Sequence, residues 1–178
     1  SAEDAPPRVT PDGVLIPLHS VGVQGDSRTY APVLAIDSLD TERATALINR
    51  LAGINRVIGC VAAFAPAAGL QVRRATLTPA RIGRLRRVDA VVRRLSHASG
   101  FDRRIWQFPV ILIPYGTDGA PDSVVLRPVD SVDGMTARAV PMDADLLASM
   151  ADELCRVEGV CGVFYDLTHK PPATIEWE

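Results

Sequence analysis

The same order of predicted elements, strand–strand–helix–strand, occurs twice in this chain of 178 residues. Ile16-Pro17 in the first half corresponds to Ile113-Pro114 in the second, and Gly53-Ile54 corresponds to Gly159-Val160. Because strands and helices each have an apolar side to bury, each copy needs a sheet covered by helices. The pattern predicts an α+β fold of two tandem subdomains, each a small, mostly antiparallel sheet with helices packed on one face.

Local patterns assign the individual elements. Apolar and β-branched runs predict strands at residues 14–18, 33–36, 57–64 and 160–167. The glycine-punctuated residues 21–30 are either a loop or a bent hairpin. One helix is capped by Asp40 or Thr41 and stops at Gly53, and its counterpart begins near Asp143.

A third helix separates the two copies and is rich in arginine. Thr78-Pro79 is a capping residue followed by a proline, and the apolar residues after it recur three or four apart until Gly100. Eight arginines crowd this region: Arg73, Arg74, Arg81, Arg84, Arg86, Arg87, Arg93 and Arg94. They indicate a solvated helix face, an inter-domain docking surface or a nucleic-acid-binding surface, although no aromatic side chain interleaves them.

Composition and segment boundaries limit the remaining possibilities. With 47% hydrophobic residues the chain is expected to be globular, and no apolar run is long enough to cross a membrane. The three cysteines lack C-x-x-C spacing, which argues against disulfides and zinc and favours a reducing cytoplasm. We predict a leader or linker at 1–12, a first unit with the arginine-rich helix at 13–100, and a second unit at 101–178.

The C-terminal tail, residues 170–178 (KPPATIEWE), combines a cation, two prolines, two acids and an indole. Proline fixes φ and pushes the preceding residue toward extended geometry, so the tail is expected to project as a stiff arm that a ligand orders. Lys170 is the only lysine in the chain. We expect Trp177 to be a packing anchor rather than a stacking platform.

Four segments follow one another along the chain: residues 20–30 (SVGVQGDSRTY), 105–112 (IWQFPVIL), 126–136 (LRPVDSVDGMT) and the tail. In this order they resemble the C-terminal dimerisation and XMP-binding region of glutamine-hydrolysing GMP synthetase. A helix-bearing insertion at about 40–100 is similar to the long family form with two tandem C-terminal units. That form implies an intramolecular pseudo-dimer in place of a homodimer, and we keep both possibilities.

The resemblance implies an XMP site formed by Asp26, Arg28, Gln107, Lys170, Thr174, Ile175 and Glu176. Lys170 and Arg28 suit the phosphate, whereas the acids suit hydroxyl or ring N–H donors. Each residue also has a simpler role: Asp26 and Arg28 could pair with each other, Gln107 could satisfy the backbone, and Lys170 could be solvated. Thr174 could contact the ligand or support the turn.

Two catalytic motifs of the family are absent from this sequence. There is no Ser-Gly-Gly-x-Asp-Ser phosphate loop, and around Cys161 the closing glycine of a G-x-C-x-G turn is replaced by Val163. The resemblance therefore implies no catalytic residue, metal or cofactor in this chain, and no activity alone. ATP and Mg would bind the family's ATP-pyrophosphatase domain, acting in cis or in trans. The alternatives are a non-catalytic oligomerisation or regulatory module and a nucleic-acid-binding module.

Overall fold

The structure is a computed structural model that describes residues 6–178. Residues 1–5, which belong to the predicted leader, lie outside the described residues. The strands are β1 (Arg8–Thr10), β2 (Gly13–Gln24), β3 (Ser27–Ile36), β4 (Arg56–Ala63), β5 (Gln71–Val72), β6 (Val110–Ile113), β7 (Tyr115–Gly116), β8 (Asp122–Leu126), β9 (Val129–Asp130), β10 (Arg138–Ala139) and β11 (Val160–Asp166). The helices are α1 (Thr41–Arg50), α2 (Pro79–Ser99) and α3 (Ala144–Cys155).

A seven-stranded sheet with the order β1-β2-β3-β4-β11-β8-β6 organises the molecule. The first half contributes an antiparallel β2–β3 pair and a parallel β3–β4 pair joined through α1. The second half repeats this arrangement with an antiparallel β6–β8 pair and a parallel β8–β11 pair joined through α3. The predicted α+β class is confirmed, and the strand–strand–helix–strand order occurs in both halves.

The two halves share one sheet because β4 pairs with β11 in antiparallel register. In two separate sheets these strands would both be edges with unpaired backbone groups, which proteins avoid exposing. Pairing the two edges with each other satisfies both at once. The sequence pattern predicted the strands but not this junction.

The helix ends follow the predicted capping chemistry. The Asp40 side chain accepts hydrogen bonds from the first-turn amides of α1, and Asp143 does the same for α3. Thr78 caps α2, and Gly100 ends it with a φ of 75°, a left-handed conformation that glycine adopts without strain. Among residues 6–178, no helix combines the length and apolar character that a membrane span requires.

The sheet separates two apolar layers. All three helices cover one face, where Leu47, Val88 and Met150 pack with sheet residues such as Val57 and Val163 in one buried cluster. The opposite face is covered by short segments and by the tail, which supply Leu70, Tyr115 and Trp177 to a second cluster. The tail therefore lies on the side of the sheet away from the helices.

Residues 21–30 form a hairpin rather than a loop. Val21 to Gln24 pair with Tyr30 to Ser27, and the register shifts between Ile16 and Ser20. Gly25 turns the hairpin with a φ of 62°. At the other end of β2, Arg8–Thr10 adds a short strand within the segment predicted as leader.

Candidate functional site

The C-terminal tail folds back along β2. The Val23 amide donates to the Pro172 carbonyl at 2.7 Å, and the Val21 amide donates to the Trp177 carbonyl at 3.0 Å. Gly22 and Ala173 form an antiparallel bridge between them. The prediction of an arm that projects from the domain is therefore wrong, because the chain itself supplies the partners that order the tail.

A buried ionic cluster lies under the tail, and we call Arg56, Arg127 and Asp166 the anchor cluster. The Asp166 Oδ2 atom accepts a hydrogen bond from Arg56 Nη1 at 2.7 Å and forms an ion pair with Arg127 Nη1 at 2.9 Å. All three side chains are 0% exposed. Burial opposes ionisation of Asp166, but the charges of Arg127 and Arg56 outweigh it and hold the pKa of that carboxyl below its ordinary value. Burial likewise lowers the pKa of Arg127 to about 10, which leaves the group cationic at neutral pH.

The two guanidinium groups hold the main chain of the tail. Arg56 Nη2 donates to the Thr174 carbonyl at 3.0 Å and to the Glu176 carbonyl at 2.7 Å. Arg127 donates from Nη2 to the Thr174 carbonyl at 2.8 Å and from Nε to the Ile175 carbonyl at 2.9 Å. Three consecutive carbonyls of the tail are thus bound by charged donors, which form stronger hydrogen bonds than neutral ones.

Trp177 completes this anchoring. Its indole is 8% exposed, lies with its ring 4.9 Å from the Arg56 guanidinium carbon, and donates from Nε1 to Asp166 at 3.0 Å. The prediction of a packing anchor is confirmed. The Thr174 hydroxyl lies 3.1 Å from the Val21 carbonyl and accepts from Arg56, so it supports the turn of the tail.

Lys170 is held at the start of the tail. Its Nζ donates to the Gly134 carbonyl at 2.6 Å, and its backbone pairs with Ala137 in both directions. The ammonium group is therefore held by the chain on one side, and the alternative of a solvated lysine stays open. Two of its three ammonium protons stay available for a ligand.

Asp26 and Arg28 lie at the exposed tip of the β2–β3 hairpin. Arg28 is opposite Val23 in the strand register, and Val23 binds Pro172, so the hairpin tip borders the tail. Within residues 6–178, neither side chain has a hydrogen bond or ion pair. The alternative that they pair with each other is excluded, and both charges face solvent.

Gln107 lies apart from the tail. It bridges to Val129 on β9, β9 pairs with β10, and Lys170 bridges to Ala137 just before β10. Three strand spacings of 4.7–4.9 Å place Gln107 about 14 Å from Lys170. Its main chain is used in the bridge, while its exposed side chain lines a groove of about 590 Å³ beside the C-terminal end of α2. Ile175, by contrast, lies within the tail and contributes its carbonyl to Arg127.

The arginines of α2 are partly committed to internal contacts. Arg81 and Arg84 both pair with Asp122, a carboxylate 1% exposed at the start of β8, and Arg84 Nε also donates to the Glu158 carbonyl at 2.8 Å. Arg94 pairs with Glu153 of α3. These contacts attach α2 to the second half of the sheet, and the three roles predicted for the arginine-rich helix stay predictions.

Sequence reasoning missed the anchor cluster. Arg127 and Asp166 lie in or beside segments that carry the family resemblance, but their residue types suggested no role there. Arg56 gave one signal, a single charged residue at the edge of an apolar run. Cys161 is 0% exposed in the apolar layer, as expected of a small buried strand residue. In the part of the chain that the structure describes, no three His, Cys, Asp or Glu side chains are placed to hold a metal ion.

Residues 95–177 match the family described as the GMP synthase C terminal domain. Residues 95–177 of this chain therefore form a domain of this family. A probable glutamine-hydrolysing GMP synthase of Leptospira interrogans is 35% identical over 177 residues, covering 93% of this chain and 29% of the relative. GMP synthases of Thermomicrobium roseum (38% over 140 residues, 74% of this chain and 26% of the relative) and Leifsonia xyli (42% over 123 residues, 64% and 24%) are also similar. The chain thus spans about 24–29% of the length of these relatives.

Proposed function

We propose that the chain is the XMP-binding and dimerisation-type portion of a GMP synthetase, with XMP bound along the anchored tail. The observation that carries this proposal is the placement of charged side chains beside one ordered main-chain segment. Lys170 lies at its start, and the unpaired Asp26 and Arg28 lie in the hairpin that borders it near Pro172, whose carbonyl accepts from the Val23 amide. Fixed backbone with unused charged side chains on either side is what a polar nucleotide requires.

The residue types suit the chemistry of XMP. A phosphate monoester carries about −1.5 to −2 charges near neutral pH, and Lys170 and Arg28 supply a point charge and a planar fork for it. Glu176 and Asp26 repel phosphate, so we assign them to hydroxyl or ring N–H donors of the ribose and base. In this proposal Gln107 contacts the end of the ligand farthest from Lys170, and Thr174 and Ile175 shape the main chain beneath it.

The proposed site is an open surface, which supports a need for a second domain. Asp26, Arg28 and Glu176 are all exposed, whereas sites for small molecules usually enclose most of the ligand. We propose that an ATP-pyrophosphatase domain, in cis or in trans, covers XMP and supplies ATP and Mg. In purine biosynthesis this ligase reaction would form GMP only when that domain is present, and the chain alone would be inactive.

The β4–β11 junction supports the pseudo-dimer over the homodimer. An edge strand of one half is already paired with an edge strand of the other, so a second copy is not needed there. Light scattering is expected to give the mass of a monomer. A reducing cytoplasmic setting, which suits the three free cysteines, is part of the same proposal.

Calorimetric titration with XMP tests the proposal. We expect saturable binding that Lys170→Ala weakens about 10- to 100-fold, the effect of losing a charge-assisted contact of 1.5–3 kcal/mol. Arg156→Ala is the matched control, because Arg156 is an exposed cation at the end of α3, a helix on the opposite face of the sheet. UMP should give no heat.

The titration should be repeated with an ATP-pyrophosphatase domain added. Absence of XMP binding under both conditions would contradict the proposal and leave the alternative of a non-catalytic oligomerisation or regulatory module.

A further inference from the structure

We propose that the anchor cluster positions the XMP-binding groups without touching XMP. This inference rests on the proposed function. Arg56, Arg127 and Asp166 are 0% exposed, so none can reach a ligand on the surface. Their hydrogen bonds instead end on the backbone segments that carry the candidate binding side chains.

Arg127 closes the loop that carries Lys170. Its guanidinium donates from Nη1 to the Thr168 carbonyl at 3.0 Å, before the loop, and to the carbonyls of Thr174 and Ile175 after it. One planar fork therefore fixes the separation between the two ends of residues 168–175. The position of Lys170 relative to Glu176 follows from that separation.

Arg56 joins the tail to the hairpin. From Nη2 it donates to the Val21 carbonyl on β2 at 3.2 Å as well as to the tail carbonyls of Thr174 and Glu176. The hairpin that begins with β2 carries Asp26 and Arg28 at its tip. Arg56 thus sets how the hairpin side of the proposed site lies against the tail side.

The buried charges of the anchor cluster also favour the docked position of the tail. The cluster holds two cations and one anion, and a buried charge without partners is strongly unfavourable. The tail carbonyls of residues 174–176 supply several of the acceptors of the two guanidinium groups, beside the Thr168 and Val21 carbonyls. Undocking the tail would leave the guanidinium groups without them, so the docked tail is the stable state and is preorganised for a ligand.

The variant Arg127→Lys tests whether the geometry of the guanidinium, and not only its positive charge, positions the XMP-binding groups. Lysine keeps the positive charge but cannot form a planar fork that bridges both ends of the loop. We expect at least tenfold weaker XMP binding with little change in the far-UV circular dichroism spectrum. Arg103→Lys, at an exposed arginine with no described contact to the cluster, should leave affinity unchanged. If Arg127→Lys lowers thermal stability but leaves XMP affinity unchanged, the role is structural and the inference fails.

A second readout does not depend on XMP. In a Trp106→Phe background, Trp177 is the only tryptophan, and it is 8% exposed. We expect Arg127→Lys to increase acrylamide quenching of Trp177 at least twofold. Unchanged quenching would overturn the inference whether or not XMP binds. Increased quenching in a chain that never binds XMP would instead refute the proposed function and keep the anchoring.

A milder variant covers the case in which Arg127→Lys does not fold. Trp177→Phe keeps a ring beside Arg56 but removes the 3.0 Å hydrogen bond to Asp166. We expect faster hydrogen exchange at the Val21 amide, which donates to the Trp177 carbonyl, and a three- to tenfold loss of XMP affinity. Unchanged exchange together with unchanged affinity would overturn the inference.

Discussion

Replacing Asp166 by asparagine removes one charge while keeping the shape of the side chain. In the folded chain Asp166 accepts from Arg56 and the Trp177 indole through Oδ2, which also forms an ion pair with Arg127, and from the Thr168 amide at 3.0 Å through Oδ1. An asparagine side chain would place its NH2 group where one carboxylate oxygen of Asp166 now accepts, so that its N–H groups face those of the arginines, Trp177 or Thr168. Asp166→Asn therefore leaves two buried guanidinium groups without a counter-ion and introduces a mismatch.

The expected cost follows from this geometry. Breaking a buried ion pair by removing one partner destabilises a protein by about 3–5 kcal/mol. For a chain of this size, each kcal/mol lowers the Tm by about 2–4 °C. We expect Asp166→Asn to lower the Tm by roughly 10 °C and the free energy of unfolding by about 4 kcal/mol.

Urea denaturation followed by circular dichroism measures this difference, and its pH dependence provides an independent check. The folded pKa of Asp166 lies below the unfolded value of about 3.9, so the ionised group stabilises the fold above about pH 4. This contribution is lost as the pH falls through the folded pKa. The difference between the wild type and Asp166→Asn should be constant from pH 5 to 7 and decrease in strong acid.

Asp118→Asn is the matched control. Asp118 also pairs with an arginine, Arg73, but its side chain is 96% exposed, and exposed pairs contribute about 0–1 kcal/mol. A loss below 1 kcal/mol for Asp166→Asn would show that the buried charges are compensated by other groups and would refute the coupling of the tail to the cluster.

Two further predictions concern stability. Gly22→Ala should destabilise the fold by about 1–3 kcal/mol in urea denaturation through overpacking, because a Cβ there would lie 2.5 Å from Asn55 Cγ; Gly119→Ala, which meets nothing within 4 Å, should be nearly neutral. Burial and nearby arginines lower the pKa of His169, whose Nδ1 accepts from the Ala139 amide at 3.0 Å. Neutral His169 therefore stabilises the fold above the unfolded pKa of about 6.5 and loses this contribution as the pH falls. We expect His169→Gln to reduce the change in the free energy of unfolding between pH 5 and 7. The same pH dependence in the variant and the wild type would contradict this assignment.

Local chemistry in the sequence was sufficient for the helices and most strands. Asp40, Thr78 and Asp143 begin helices, and Gly100 ends α2, because caps act within four residues and leave a local signature. For residues 21–30 the sequence did not decide between a loop and a hairpin. Its strands pair over a tight turn, and that pairing depends on contacts with the tail as well as on the local sequence.

The sequence patterns did not predict the ion pairs between residues that are distant in the chain. Arg56 and Asp166 are separated by 110 positions, and neither residue type indicates burial, since charged residues are rarely buried unless paired. The direction of the tail was misjudged for the same reason, because its acceptors are main-chain carbonyls that any residue possesses. The candidate side chains Lys170, Asp26 and Arg28 lie around one segment, while Gln107 lies three strand spacings from Lys170.

The anchoring of the tail also has a consequence for synthesis of the protein. Arg56 is translated 118 residues before Thr174. The Thr174 carbonyl is one of the acceptors of the Arg56 guanidinium in the folded chain. Until then, the seven-stranded sheet cannot bury that guanidinium with its full set of acceptors. Folding of the first half is therefore completed by a segment translated 118 residues after Arg56, and a premature stop before Thr174 removes acceptors from a strand made much earlier.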